Sequence, residues 1–128
     1  MNGGSGSSSL DYSTTERAVG TWIDGKTLYQ KTIETNMPTI SSDLQRAYRY
    51  VSFPELSSID KIVEYSAICM YGSPTTYASI PQYWDVDNKY YALRCNLDKS
   101  NGIYLFLNRL TASNATVYVT IWYTKISS

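Results

Sequence analysis

Four aromatic residues, Tyr71, Tyr77, Tyr83 and Trp84, gather in a Pro- and Ser-containing stretch, and Asp85 and Asp87 follow directly. An aromatic ring can stack on the C–H face of a sugar, while neighbouring carboxylates and amides bond its hydroxyls; Gln82 and Asn88 supply the amides. Tyr71, Tyr77, Tyr83, Trp84, Asp85 and Asp87 therefore form the candidate ligand-binding set. The same rings also suit a plainer task, covering the open end of a β structure or packing against a neighbouring subunit.

Catalytic chemistry is poorly provided for. The chain has no histidine, which removes His-based triads, His general acid–base catalysis and most transition-metal sites. Its two cysteines, Cys69 and Cys95, form no C-x-x-C pair and are too few for a zinc site. Asp85-Val86-Asp87-Asn88 alternates acidic residues but lacks the glycine and later glutamate of a calcium loop, and reads as a polar turn. A glycosidase needs two carboxylates roughly 5–9.5 Å apart across one cleft, and no pair among the 11 acidic residues is singled out. No G-x-S-x-G occurs, and Gly3 to Gly6 has no Gly-Lys-[Ser/Thr] at the spacing of a phosphate loop, which excludes one there. The expectation is a non-enzyme with no cofactor and no metal.

Composition narrows the partners. Eleven basic residues balance eleven acidic ones without a basic block, which argues against nucleic acid. The longest apolar runs fall far short of the roughly 20 residues that cross a bilayer, and the N-terminus has no charged-then-apolar signal pattern, so a soluble protein without membrane insertion is expected. Thirteen Tyr and three Trp against two Phe favour half-exposed positions on sheets, and Thr, Ile and Val point the same way.

These residues must be positioned by strands. Residues 2–9 read NGGSGSSS and cannot bury anything, so 1–11 is expected to be a flexible leader and 12–128 a single domain, with structure beginning near Thr15. Apolar runs at 17–23 and 26–33 flank Asp24-Gly25, a strong hairpin signal. In the return strand Tyr29, Lys31 and Ile33 share one face and Leu28, Gln30 and Thr32 the other, an imperfect alternation that suggests an edge ribbon. Strands are further predicted over 47–51 and 62–71, then a loop to Ile80-Pro81, then strands over 90–96, 103–108 and 116–125. Ile103, Leu105 and Leu107 point inward, as do Val117, Val119, Ile121 and Tyr123. The pattern predicts an all-β, antiparallel β-sandwich of jelly-roll-like type with about seven to eight strands. The long last strand needs pairing on both edges or cover, which a neighbouring subunit could supply.

Certain strings go further. Tyr12-Ser13-Thr14-Thr15-Glu16, Val19-Gly20-Thr21-Trp22-Ile23-Asp24-Gly25-Lys26, Leu28-Tyr29-Gln30-Lys31-Thr32-Ile33, Ile59-Asp60-Lys61-Ile62-Val63, Ile80-Pro81 and the terminal run from Ala115 through Tyr118-Val119-Thr120-Ile121-Trp122-Tyr123-Thr124-Lys125 occur in this order. Over most of 12–125 the chain resembles C-terminal domains of bacteriophage tail fibres, receptor-binding proteins and related virion appendages. The two ends carry the likeness and the middle is loose; apart from Ile80-Pro81, Met70 to Asn88 follows no family pattern. The resemblance implies a compact β-sandwich, commonly a trimer, bound to other virion proteins after assembly in the bacterial cytoplasm, and recognising a host-surface component such as a glycan. The alternative it allows is a structural head-fibre or capsid-decoration protein. It implies no catalytic or binding residue. Assembly in a reducing compartment favours free thiols at Cys69 and Cys95, with a disulfide left open if their strands are neighbours.

Overall fold

The computed structural model describes residues 12–39, 46–70, 77–86, 89–108 and 115–126. Among these, the strands are β1 (Arg17–Thr21), β2 (Thr27–Asn36), β3 (Arg46–Val51), β4 (Ile59–Met70), β5 (Tyr77–Ile80), β6 (Gln82–Val86), β7 (Lys89–Asp98), β8 (Gly102–Asn108) and β9 (Thr116–Lys125), with a 3-10 turn at Leu56–Ser58. They form a five-stranded sheet in the order β1-β2-β9-β4-β5 and a four-stranded sheet in the order β3-β8-β7-β6. Every pairing is antiparallel. β2, β9 and β4 lie side by side while β3 and β8 pair in the opposite sheet, the sheet-to-sheet alternation that jelly rolls use. β6, β7 and β8 follow as a meander.

Residues 77–80, part of the loop expected to lead to Ile80-Pro81, form β5, and β6 takes in Asp85 and Val86, where a polar turn is expected. The chain leaves one sheet for the other at the cis bond between Ile80 and Pro81. The Gly/Ser-rich 1–11 and the turn expected around Ala112 to Asn114 lie outside the described residues.

Period-two alternation fills the core. Val117, Val119, Ile121 and Tyr123 of β9 face Leu93 and Cys95 of β7 and Ile103, Leu105 and Leu107 of β8, within one buried cluster. Each fully buried side chain of this size contributes about 1.5–3 kcal/mol. Met37, Phe53, Leu56 and Ile59 complete the cluster from the connections and the start of β4. Cys69 and Cys95 belong to it from opposite sheets and are unbonded.

The pairing on both edges that β9 needs is supplied by β2 and β4 of its own chain. One expectation is corrected. β2 is interior, between β1 and β9; its uneven alternation arises because the outward Gln30 and Thr32 are themselves buried. Thr32 and Thr120 satisfy one another there, hydroxyl to hydroxyl at 2.9 Å.

The opening hairpin is also looser than a two-residue turn. β1 stops at Thr21. The Gly25 N–H donates to the Trp22 carbonyl and the Trp22 N–H to the Lys26 carbonyl, both at 2.9 Å. Gly25 takes φ +88°, the left-handed position of a three-residue hairpin loop. Asp24 Oδ1 accepts the Lys26 N–H at 3.0 Å. Ile23, read as part of the first strand, is 90% exposed in that loop.

Candidate functional site

On the outer face of the five-stranded sheet the central strand, β9, presents Tyr118, Thr120 and Trp122, none of them charged. Register places Thr32, Thr120 and Ser66 in one row across β2, β9 and β4. The next row holds Glu34, Tyr118, Ile68 and Ser79. Beyond it, Met70 of β4 pairs with Tyr77 of β5. Strand alternation puts all these side chains on the face opposite the core.

The chain ahead of β1 builds the remaining wall. The Ser13 carbonyl accepts the Thr32 N–H at 2.8 Å, which lays residues 12–16, the leader from here on, along β2. Tyr12 then turns over the sheet and meets the Trp122 ring edge-on, with centroids 6.2 Å apart. A groove of about 360 Å³ results, lined by Tyr12, Thr32, Ser66, Ile68, Tyr77, Tyr118 and Thr120. Three tyrosines stand around a floor of three hydroxyls, and Ile68, 43% exposed, adds an aliphatic contact. Such a site offers ring faces to apolar ligand surface and short hydroxyls to polar atoms.

The leader is anchored from the core side as well. Glu16 accepts hydrogen bonds from the Tyr123 hydroxyl and the Lys125 ammonium through its two carboxylate oxygens. Lys125 Nζ also lies 4.5 Å from the Tyr29 ring centroid, and Tyr29 stacks on Tyr123. Burial, reinforced by the Glu16 carboxylate, raises the Tyr123 phenol far above the ordinary tyrosine range. The Glu16 bond raises Lys125. Tyr123 and Lys125 are thus tied to the leader, and the contacts account for these groups as a clasp that holds Tyr12 and Ser13 beside β2.

A second aromatic surface lies on the outer side of the four-stranded sheet. Tyr48 pairs with Phe106, and Tyr50 with Tyr104, across β3 and β8. Tyr50 and Tyr104 centroids are 5.2 Å apart, Tyr48 and Tyr104 5.9 Å. The Arg94 guanidinium lies 5.7 Å from the Phe106 centroid. Tyr48 is 65% and Tyr50 48% exposed. This is a flat ladder, in contrast to the walled groove.

Compared with known protein families, characterised proteins and solved structures, the chain matches none.

Of the residues singled out in the sequence, Tyr77 lines the groove. Tyr83 is exposed on β6 of the other sheet and is not among the residues lining the groove. Trp84 and Asp85 belong to β6, paired with Tyr91 and Tyr90; their side chains, with Tyr71 and Asp87, lie outside what is described. Tyr12, Tyr118, Thr32, Thr120, Ser66 and Ile68 were not anticipated. One signal did exist: the outward residues of β9, Tyr118, Thr120 and Trp122, include no charge, although an uncovered sheet face usually carries some.

Proposed function

We propose that this chain is a non-catalytic recognition domain of a bacteriophage virion appendage, and that it binds a host-surface glycan in the Tyr12–Tyr77–Tyr118 groove. The observation that carries the reading is the pairing of three tyrosine rings with the exposed Ser66 hydroxyl, beside the mutually bonded Thr32 and Thr120, in one concavity. A pyranose presents the complementary pattern, an apolar C–H face with hydroxyls at its rim. The floor consists of central strands β2, β9 and β4, so little ordering cost accompanies binding. Localisation to the virion and attachment to other virion proteins follow from the resemblance of the two ends of the chain to fibre domains.

The test is retention of the purified chain on a glycan array and on bacterial cell walls, alongside Tyr77→Ala and Tyr118→Ala. Each substitution is expected to weaken retention about tenfold, equivalent to about 1.4 kcal/mol. No retention of the wild type on any glycan, or equal retention of all three proteins, would overturn the reading.

The Tyr48–Tyr50–Tyr104–Phe106 ladder favours a second reading, a structural head-fibre or decoration protein that uses this face against a neighbouring subunit, commonly in a trimer. Light scattering decides: a particle of three times 14.5 kDa that dissociates on Tyr48→Glu supports it, and a monomer at micromolar concentration counts against it.

A further inference from the structure

The groove has an electrostatic bias that narrows its ligand, an inference that rests on the glycan reading above. The lining itself is neutral: tyrosine, threonine, serine and isoleucine. Its flanks are not. Glu34 is the cross-strand partner of Tyr118, and Glu64 that of Trp122, the residue under Tyr12. Both glutamates are exposed and, by strand alternation, project from the same face as the groove. Of the cations on this sheet, Arg17 lies on edge strand β1 and donates to Gln30 Oε1, and Lys61 of β4 is paired with Asp24 and Asp60. Arg17 is separated from Trp122 by the width of β2.

An anionic sugar entering the groove would therefore approach two carboxylates and meet no cation among the lining residues. A cationic sugar would be drawn toward the flanks but would find no carboxylate within the lining to pair with. An uncharged sugar forfeits nothing, since rings and hydroxyls are all the groove offers. We infer that the groove selects uncharged glycans, built of hexose or N-acetylhexosamine units, and rejects those bearing uronate, sialate or phosphate. Ile68 offers aliphatic surface for either a sugar C–H face or an N-acetyl methyl group.

The experiment is calorimetric titration of the full chain with four probes: maltotetraose, tetra-N-acetylchitotetraose, tetragalacturonate and tetraglucosamine. Wild type is expected to bind at least one of the two neutral probes more tightly than either charged one. The disadvantage of tetragalacturonate should shrink about threefold to tenfold in the Glu34→Gln/Glu64→Gln variant or at high salt, because exposed charges act through solvent and are screened. Neutral-probe affinity should stay unchanged by either treatment. If tetragalacturonate or tetraglucosamine binds best and Tyr118→Ala abolishes that binding, the groove is a glycan site but the selection for neutral sugars is refuted. If none of the four probes binds while cell walls retain the protein through Tyr118, the selection is likewise refuted and the glycan reading stands. If neither probes nor cell walls are bound, both fall together.

Discussion

Gly102 and Gly25 offer a controlled comparison of what a methyl group costs in this fold. Both hold positive φ, +102° and +88° respectively. An alanine in that conformation costs roughly 1–2 kcal/mol, and the stiffer denatured chain returns about 0.4–1 kcal/mol. Around Gly25 nothing lies within 4 Å of an added Cβ, so Gly25→Ala should cost no more than about 1.6 kcal/mol. Around Gly102 the added Cβ would collide with the Val51 carbonyl oxygen, and lie 2.9 Å from the Val51 carbonyl carbon and 3.1 Å from Ser52 Cα. These are backbone atoms held by the β3–β8 ladder, where Val51 pairs with Ile103. Relief requires moving a strand, an overpacking cost of about 1–3 kcal/mol. Gly102→Ala should therefore lose about 2–4 kcal/mol in all. Urea unfolding of both variants with a common slope measures the difference. Because β3 carries Tyr48 and Tyr50, the variant should also disturb their rings against Tyr104 and Phe106, visible in near-ultraviolet circular dichroism. Equal stabilities for the two alanine variants, or a Gly102→Ala loss below about 0.5 kcal/mol, would refute the argument that close backbone approach at Gly102 excludes a side chain.

Acid and alkali should both loosen the fold, through different groups. The Lys26 amide holds Asp24 below its ordinary range, the Lys26 ammonium does so for Asp60, and the Ser100 amide for Asp98. A carboxylate depressed in the folded state contributes stability above its unfolded pKa of about 3.9, lost as pH falls through the folded value; thermal stability should thus decline below about pH 4, and a flat profile from pH 5 to 2 would contradict these pairings. In the other direction, burial pushes the Cys69 thiol up to about 11 and Cys95 up to about 12. Their contribution is complete below the unfolded thiol value of about 8.5 and is lost as pH rises through 11–12. At pH 8 in native buffer neither thiol should react with an aromatic disulfide reagent, while both react in denaturant; rapid native labelling would show that one lies outside the core.

The fold was largely legible in the residues. Strict alternation in Ile103-Tyr104-Leu105-Phe106-Leu107 and in Val117-Tyr118-Val119-Thr120-Ile121 fixes which face is buried, because a strand turns alternate side chains to opposite sides. Asp24-Gly25 and Asp98 to Gly102 marked turns that the structure contains, since Gly25 and Gly102 both need positive φ and the Asp side chains bond local amides. β5 and β6 were missed because four or five residues with Tyr, Ser and an adjoining Pro carry too little period-two signal. β2 looked like an edge because polar Gln30 and Thr32 mimic a solvent face, and their concealment depends on Arg17 and Thr120, remote in sequence.

The candidate site divides along the same line. Local chemistry marked the aromatic Tyr77 and excluded histidine-dependent catalysis, properties that belong to residues singly. Which rings share a concavity was decided by register: Tyr118 comes beside Ile68 only because β9 pairs with β4 as it does, and Tyr12 reaches Trp122 only because its leader is bonded to β2 and clasped through Glu16. Secondary structure follows from neighbours a few residues away, so a single sequence reveals it. A groove assembled from the leader, β2, β4, β5 and β9 depends on contacts as distant as Tyr12 to Trp122, and strand order and register alone specify those.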